Sequence, residues 1–227
     1  MAAVIVLGIV AMEIDNVFSI QTTIWKNPDE RRLTEVKVTC CPLNDGGETD
    51  LASPIAHLRG FILDIGYYPR ARDEFAFEAF DMRSRHAFDT FRIITKRRPM
   101  IKRALPRTDV GMIGSFLHLE RLEVGEEYRG QELGLRLLRE ARQTLARSGL
   151  LVVLKAHPDG KDTTPAHNIR LGRYYQSDPV CEFVPISDRS EPGWLVADWS
   201  DPGRQTKDEY FWSSRRRDVT ALGEPAF

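Results

Sequence analysis

The chain reads as an α/β domain built on one mixed sheet. Three observations predict this. Short alternating or β-branched runs fill the first third; residues 117–156 carry an extended segment, a glycine-marked turn, an amphipathic stretch and a second apolar run, in that order; and 227 residues suffice for a single well-buried core. Strand, helix and strand in that order form a right-handed crossover with parallel strands. The closely spaced early runs suit antiparallel hairpins instead.

Residues 4–10 are a mostly β-branched run, and residues 17–25 alternate loosely through Phe18, Ile20 and Ile24, which gives two early strands or one bulged strand. Residues 33–41 alternate through Val36 and Val38. Residues 42–50, with Asn44, Asp45, Gly46 and Gly47, form a loop before a further strand over 55–65 that contains Gly60. From 73 to 94 the period changes: Phe77, Phe80, Ser84, Phe88 and Phe91 recur at helical spacing, with Asp73 and Glu74 at the start and Lys96, Arg97 and Arg98 at the end. Pro99 and Pro106 close that helix, and 102–114 reads as a linker. Residues 117–124 are the central strand. The helix over 131–147 places Leu133, Leu137, Leu138, Ala141 and Leu145 on one stripe, and the solid apolar run 150–156 is a strand covered on both faces. A short helix over 168–176, with Ile169, Leu171 and Tyr175 inward, precedes strands over 181–186 and 193–199. Residues 1–200 form one domain with an atypical N-terminal half. Residues 201–227, carrying Arg215, Arg216 and Arg217, form an arm that packs loosely or stays mobile.

Composition excludes several classes. With 42% hydrophobic and 29% charged residues the chain is neither fibrous nor wholly disordered. The 32 basic residues balance 33 acidic ones, so no global field recruits nucleic acid or anionic membrane. Residues 1–12 lack a basic leader and are followed by Glu13 and Asp15, which fits neither a secretion signal nor a span of about 20 apolar residues; a first strand and cytoplasmic residence are expected. Cys40, Cys41 and Cys181 are an odd set without a CxxC pair, so buried free thiols are expected rather than disulfides or a zinc site.

Chemistry concentrates at the start of the 131–147 helix, where free backbone N–H groups between Arg129 and Gly134 can hold an anion. Arg129 can add a bidentate contact, with Arg136 one turn above. Gly130 and Gly134 keep side chains out of the approach. RGQELG matches neither GxGxxG nor GxxxxGK[ST], so nicotinamide and Walker-type nucleotide loops lose their support.

Residues 124–134, VGEEYRGQELG, resemble the strand ending and pyrophosphate loop of the GNAT superfamily of acyl-CoA N-acyltransferases, written Q/R-x-x-G-x-G/A. Arg129 and Gly134 stand in matching places, whereas Glu132 replaces the middle glycine. That carboxylate must turn away from a diphosphate or weaken the site, and its spacing suits a pair with Arg136. Asn168 and Tyr175, seven residues apart, resemble the family's Asn and Tyr on the helix before its sixth strand; the Gly-Phe that usually follows is not present as such. The resemblance covers about residues 117–199. In the family two helices separate strands one and two, so either the early strands here are misassigned or the acceptor-binding part is rebuilt.

The resemblance implies a GNAT-like fold with splayed central strands and transfer of an acyl group, most often acetyl, from coenzyme A to the primary amine of a small molecule or protein. The pantetheine arm would lie between the 117–124 and 150–156 strands, along Leu122, Glu123 and Val124. The diphosphate would sit on Arg129, Gly130, Gln131, Glu132, Leu133 and Gly134, with Asn168 holding the coenzyme through its amide. Such a reaction needs a proton acceptor, a donor for the developing oxyanion and an acid for the leaving thiolate. His118 and Glu120 share a strand face under strict alternation, with Glu123 opposite. Glu120 ranks before His118 because a carboxylate also attracts a cationic acceptor. Tyr175, protonated at neutral pH because tyrosine titrates near about 10, is the acid, and Tyr174 its fallback.

Each residue also has a plainer role. Arg129 with Glu126 and Glu127 reads as a solvated turn, Tyr175 as a core-edge aromatic, and Glu120 and His118 as exposed strand residues. His57, His86, His157 and His167 share no ligand spacing and read as structural or surface groups. Phe75, Phe77, Phe80, Phe88 and Phe91 are core; a face left open would line an acceptor pocket or a homodimer surface. Glu132 motivates a rival reading as a catalytically weak acyl-CoA-binding or regulatory module. The basic residues Lys96, Arg97, Arg98, Lys102, Arg103 and Arg215–Arg217 motivate another, a nucleic-acid-associated protein, which the balanced charge disfavours.

Overall fold

Among the described residues of the computed structural model, nine strands hydrogen-bond into one mixed sheet. The structure describes residues 5–14, 18–26, 33–44, 47–65, 85–157, 164–186, 192–201 and 216–217. In chain order the elements are β1 (Ile5–Ile14), β2 (Phe18–Lys26), β3 (Leu33–Pro42), β4 (Ala56–Asp64), α1 (Arg85–Lys96), α2 (Arg98–Ala104), β5 (Ser115–Val124), α3 (Leu133–Leu145), β6 (Leu150–Lys155), α4 (Pro165–Gln176), β7 (Val184–Pro185), β8 (Trp194–Asp198) and β9 (Arg216–Arg217). Across the sheet they run β7-β8-β6-β5-β4-β3-β2-β1-β9. β5 and β6 are parallel, as the crossover between them requires, and the other pairs are antiparallel.

The early runs form two strands, and β1 also carries a register irregularity between Val6 and Gly8. Four strands precede the first described helix, so the early runs are strands as expected. Of the helix expected over 73–94, α1 supplies the second half, while residues 73–84 lie outside the described residues.

Three expectations need correction. Pro99 does not end helical structure: it sits in the first turn of α2, where its missing N–H costs no hydrogen bond, and α2 buries Ile101. Ile169 is 52% exposed, and α4 packs through Leu171, Gly172 and Tyr175 instead. Only Val184–Pro185 of the 181–186 segment pairs as strand. Before it, Asp178 accepts the Val180 and Cys181 amides and Glu182 takes a left-handed conformation (φ 52°), which turns the chain.

Alternation divides the core between the two sheet faces. Val36, Val38, Leu58, Leu117, Val152 and Leu195 pack against Leu133, Leu137, Leu138, Ala141 and Leu145 of α3. On the opposite face Leu33, Phe61, Leu63, Phe116, Leu151 and Val153 pack against Ile93 and Ile94 of α1 and Ile101 of α2. β6 feeds both clusters, which explains its unbroken apolar run.

Between β4 and β5 the register slips. Arg59 opposes Arg121 but Gly60 opposes Leu119, so Glu120 is an extra residue, a bulge. Gly60 permits the close approach: a Cβ there would lie 2.3 Å from the His118 carbonyl oxygen. From the 201–227 arm, β9 adds a two-residue strand against Ala11 and Met12. No helix among the described residues is long and apolar enough to cross a membrane.

Candidate functional site

The sheet opens where β5 outruns β6. Ser115–Leu119 of β5 pair with Leu150–Leu154, after which β5 continues to Val124 with β4 as its strand neighbour while β6 ends at Lys155. The resulting cleft has a volume of about 1070 Å³. One wall is the outer half of β5 and the loop that follows it; the other is formed by Lys155, His157, Leu171, Tyr174 and Tyr175. A strand edge beside a cavity can take an extended ligand by main-chain hydrogen bonding.

The floor leads to the N-terminus of α3. Its first intrahelical bond runs from the Arg136 amide to the Glu132 carbonyl, which leaves the preceding first-turn amides outside the helical pattern. Among the described residues the Leu133 and Gly134 amides donate to no group, whereas the Leu135 amide donates to the Tyr174 oxygen. Gly134 fits closely, since a Cβ there would lie 3.0 Å from Leu122 Cδ2 and 3.2 Å from the Tyr174 hydroxyl, and either side chain would have to shift by a few tenths of an ångström to admit it. Burial pushes the Tyr174 phenol up, against the lowering by the Leu135 amide. Tyr174 is therefore a protonated hydroxyl seated at the helix end.

Glu132 occupies the N-cap in a left-handed conformation (φ 58°, ψ 13°) without a capping hydrogen bond. This is a backbone state that glycine adopts freely and other residues adopt at about 1 kcal/mol or more. Glu132 thus holds a positive φ at the position where the Q/R-x-x-G-x-G/A pattern would place a glycine. Arg129 braces the turn: its Nε donates to the Val124 carbonyl at 3.3 Å, and its guanidinium lies 3.7 Å from Glu126 with most of its surface in solvent.

Of the residues singled out in the sequence, Glu120, Leu122, Glu123, Val124, Arg129, Gly130, Glu132, Leu133, Gly134 and Tyr175 line the cleft. Gln131 and Asn168 do not form its wall. Asn168 lies beside Gly193, and its side-chain oxygen is buried with no hydrogen-bond partner among the described residues. Tyr175 is buried at the cleft floor, its ring 5.5 Å from that of Tyr174.

His118 departs from expectation. It is 2% exposed, hydrogen-bonds to Thr90 of α1 at 2.9 Å and packs on Phe61 in the α1 layer, away from the cleft lining. His118 is still paired between β4 and β6 and covered by Thr90 and Phe61, whereas Glu120 lies beyond the last β5–β6 pair and is exposed at the cleft. The extra residue at 120 instead turns Arg121 and Glu123 to the side of the strand that His118 occupies.

Sequence reading also passed over His57. The β4–β5 register sets it directly opposite Glu123, Nε2 lies 2.7 Å from that carboxylate, and both line the cleft. Burial lowers the His57 pKa; Glu123 raises it, and the charges of Arg59, Lys37 and Arg121 lower it again. Glu123 also pairs with Arg121. The signal was present as an antiparallel cross-strand pair, legible only once the bulge fixes the register.

The cysteines offer no nucleophile. All three are free and buried; desolvation pushes the Cys40 thiol up to about 12 and raises Cys41 and Cys181 as well.

No protein-family model and no curated protein matches this chain. Among solved structures it is similar to the apo form of a mutant agmatine N-acetyltransferase, with 15% identity over 71% of this chain and 75% of that one and a TM-score of 0.36. A likeness that distant assigns neither fold family nor activity.

Proposed function

We propose that this chain is an acyl-CoA-dependent N-acyltransferase of the GNAT type, moving an acyl group, most simply acetyl, to a primary amine. The observation that carries the reading is the cleft itself: a strand edge freed by the ending of β6, continuous with a helix N-terminus at which the Leu133 and Gly134 amides are available. An extended pantetheine arm suits the strand edge, and a diphosphate suits the amides.

The charge of the mouth works against the diphosphate. Glu120, Glu123, Glu126, Glu127 and Glu132 line the cleft against Arg121, Arg129 and Lys155, so weak coenzyme affinity is expected. In this reading Glu120 receives the amine proton and Tyr175 donates to the departing thiolate, with Tyr174 holding the helix end rather than serving as the acid. The rival, a binding module without turnover, rests on the strained anionic Glu132.

Calorimetric titration with acetyl-CoA, followed by thiol release in the presence of an amine panel, separates these outcomes: binding with thiol release supports the enzyme, binding alone the module, and absence of binding removes both. Tyr175→Phe should lower turnover at least about tenfold with coenzyme affinity nearly unchanged. Equal loss of both would mark Tyr175 as structural.

A further inference from the structure

On the sheet face opposite α3, three cations stand side by side. Lys37 of β3 opposes Arg59 of β4, and Arg59 opposes Arg121 of β5. Cross-strand partners share a face, and these alternate with Val36, Val38, Leu58 and Leu122, which turn towards α3. Adjacent strands are about 4.8 Å apart, so the row spans about 10 Å.

Like charges directly opposed in a sheet are destabilising, and this row holds two such contacts in succession. Neutralisation from within is partial. Arg121 shares Glu123 with His57, while the side chains of Lys37 and Arg59 make no hydrogen bond or ion pair among the described residues. Glu35 lies on the same face one row away, opposite Phe61. Arg59 and Arg121 are exposed and Lys37 half-buried; Arg121 lines the cleft beside His57 and Glu123, and the row runs outward from it across β4 to β3.

We infer that Lys37, Arg59 and Arg121 bind an anionic group, carboxylate or phosphate, carried by the acceptor amine. This rests on the acyl-transfer reading for the word acceptor, and it narrows that reading from any primary amine to one bearing an oxyanion. Position selects the acceptor over the coenzyme: the row lies on the face away from the α3 N-terminus, and Arg121 directly follows the bulged Glu120, which faces the cleft. An oxyanion held there would draw an amine towards Glu120, and guanidinium groups suit it through paired N–H donors.

Two matched amine pairs test the inference: glycine against glycinamide, and phosphoethanolamine against ethanolamine. Titrated into the isotope-labelled full chain, the anionic members should shift the Lys37, Arg59 and Arg121 amide resonances saturably, and the neutral members should not; which anion binds more tightly tells carboxylate from phosphate. With acetyl-CoA present, kcat/KM should favour the anionic member of the better pair by about tenfold or more, chiefly through KM, and the Lys37→Gln/Arg59→Gln double variant should erase that preference while retaining acetyl-CoA affinity. The variant should also be no less stable than the parent, because it removes repulsion. Equal shifts from charged and neutral amines, or a preference that survives the double variant, would overturn the inference. Failure of acetyl-CoA to bind the parent would instead overturn the acyl-transfer reading, leaving the anion titration to decide the charged row by itself.

Discussion

The two halves of β5 obey different rules. Up to Leu119 the strand has β4 on one side and β6 on the other, and Phe116, Leu117 and Leu119 are core. After Glu120 it keeps β4 alone, its residues are exposed or half-buried, and its free edge borders the cleft. A bulge and the short length of β6, six residues against ten in β5, create the difference. Structure ends and site begins within one strand, so packing in the first half sets the geometry available to the second.

Gly60→Val attacks that boundary most directly. Its side chain would meet the His118 carbonyl, a backbone atom that cannot rotate away, and about 3 kcal/mol or more of unfolding free energy should be lost in denaturant titration. A loss under about 0.5 kcal/mol, the scale of an ordinary surface change, would show that the bulge tolerates a side chain.

Arg129→Ala tests the outer half alone. Coenzyme affinity should fall by about 1.5 to 3 kcal/mol in calorimetry, the scale of a lost charged hydrogen bond, with stability little changed because the guanidinium is largely exposed. Unchanged affinity would confine Arg129 to bracing the Val124 turn.

Glu132→Gly should act in the other direction. Releasing a left-handed non-glycine residue should stabilise the fold by up to about 1 kcal/mol, and removing a carboxylate should tighten coenzyme binding. Weaker binding in the glycine variant would mean that the carboxylate takes part in recognition.

The smallest effect belongs to His57. Its folded pKa lies below its ordinary value, so the folded state resists protonation and stability should fall as pH drops through about 6.5 towards that lowered value. His57→Gln should flatten this part of the stability profile; an unchanged slope would assign the pH dependence elsewhere.

What the sequence made legible was local. The α3 stripe, the doubly covered β6 and the positions of Arg129 and Gly134 follow from spacing and turn chemistry over a few residues. The bulge was hidden because Arg59-Gly60 and Glu120-Arg121 read as ordinary alternation until the two strands are aligned. The His57–Glu123 pair was hidden with it, and the burial of His118 depends on Thr90, a partner 28 residues away. Pro99 misled for a related reason, since proline ends one helix or begins the next according to neighbours that local pattern does not fix. The cation row is legible only from pairing across three strands.

Amide hydrogen exchange of the full chain with and without coenzyme A tests the central claim most directly. The expected result is slowed exchange confined to residues 120–124 and 130–134, where the freed strand edge meets the α3 N-terminus. Coenzyme binding that protects other segments and leaves these two unchanged would contradict it.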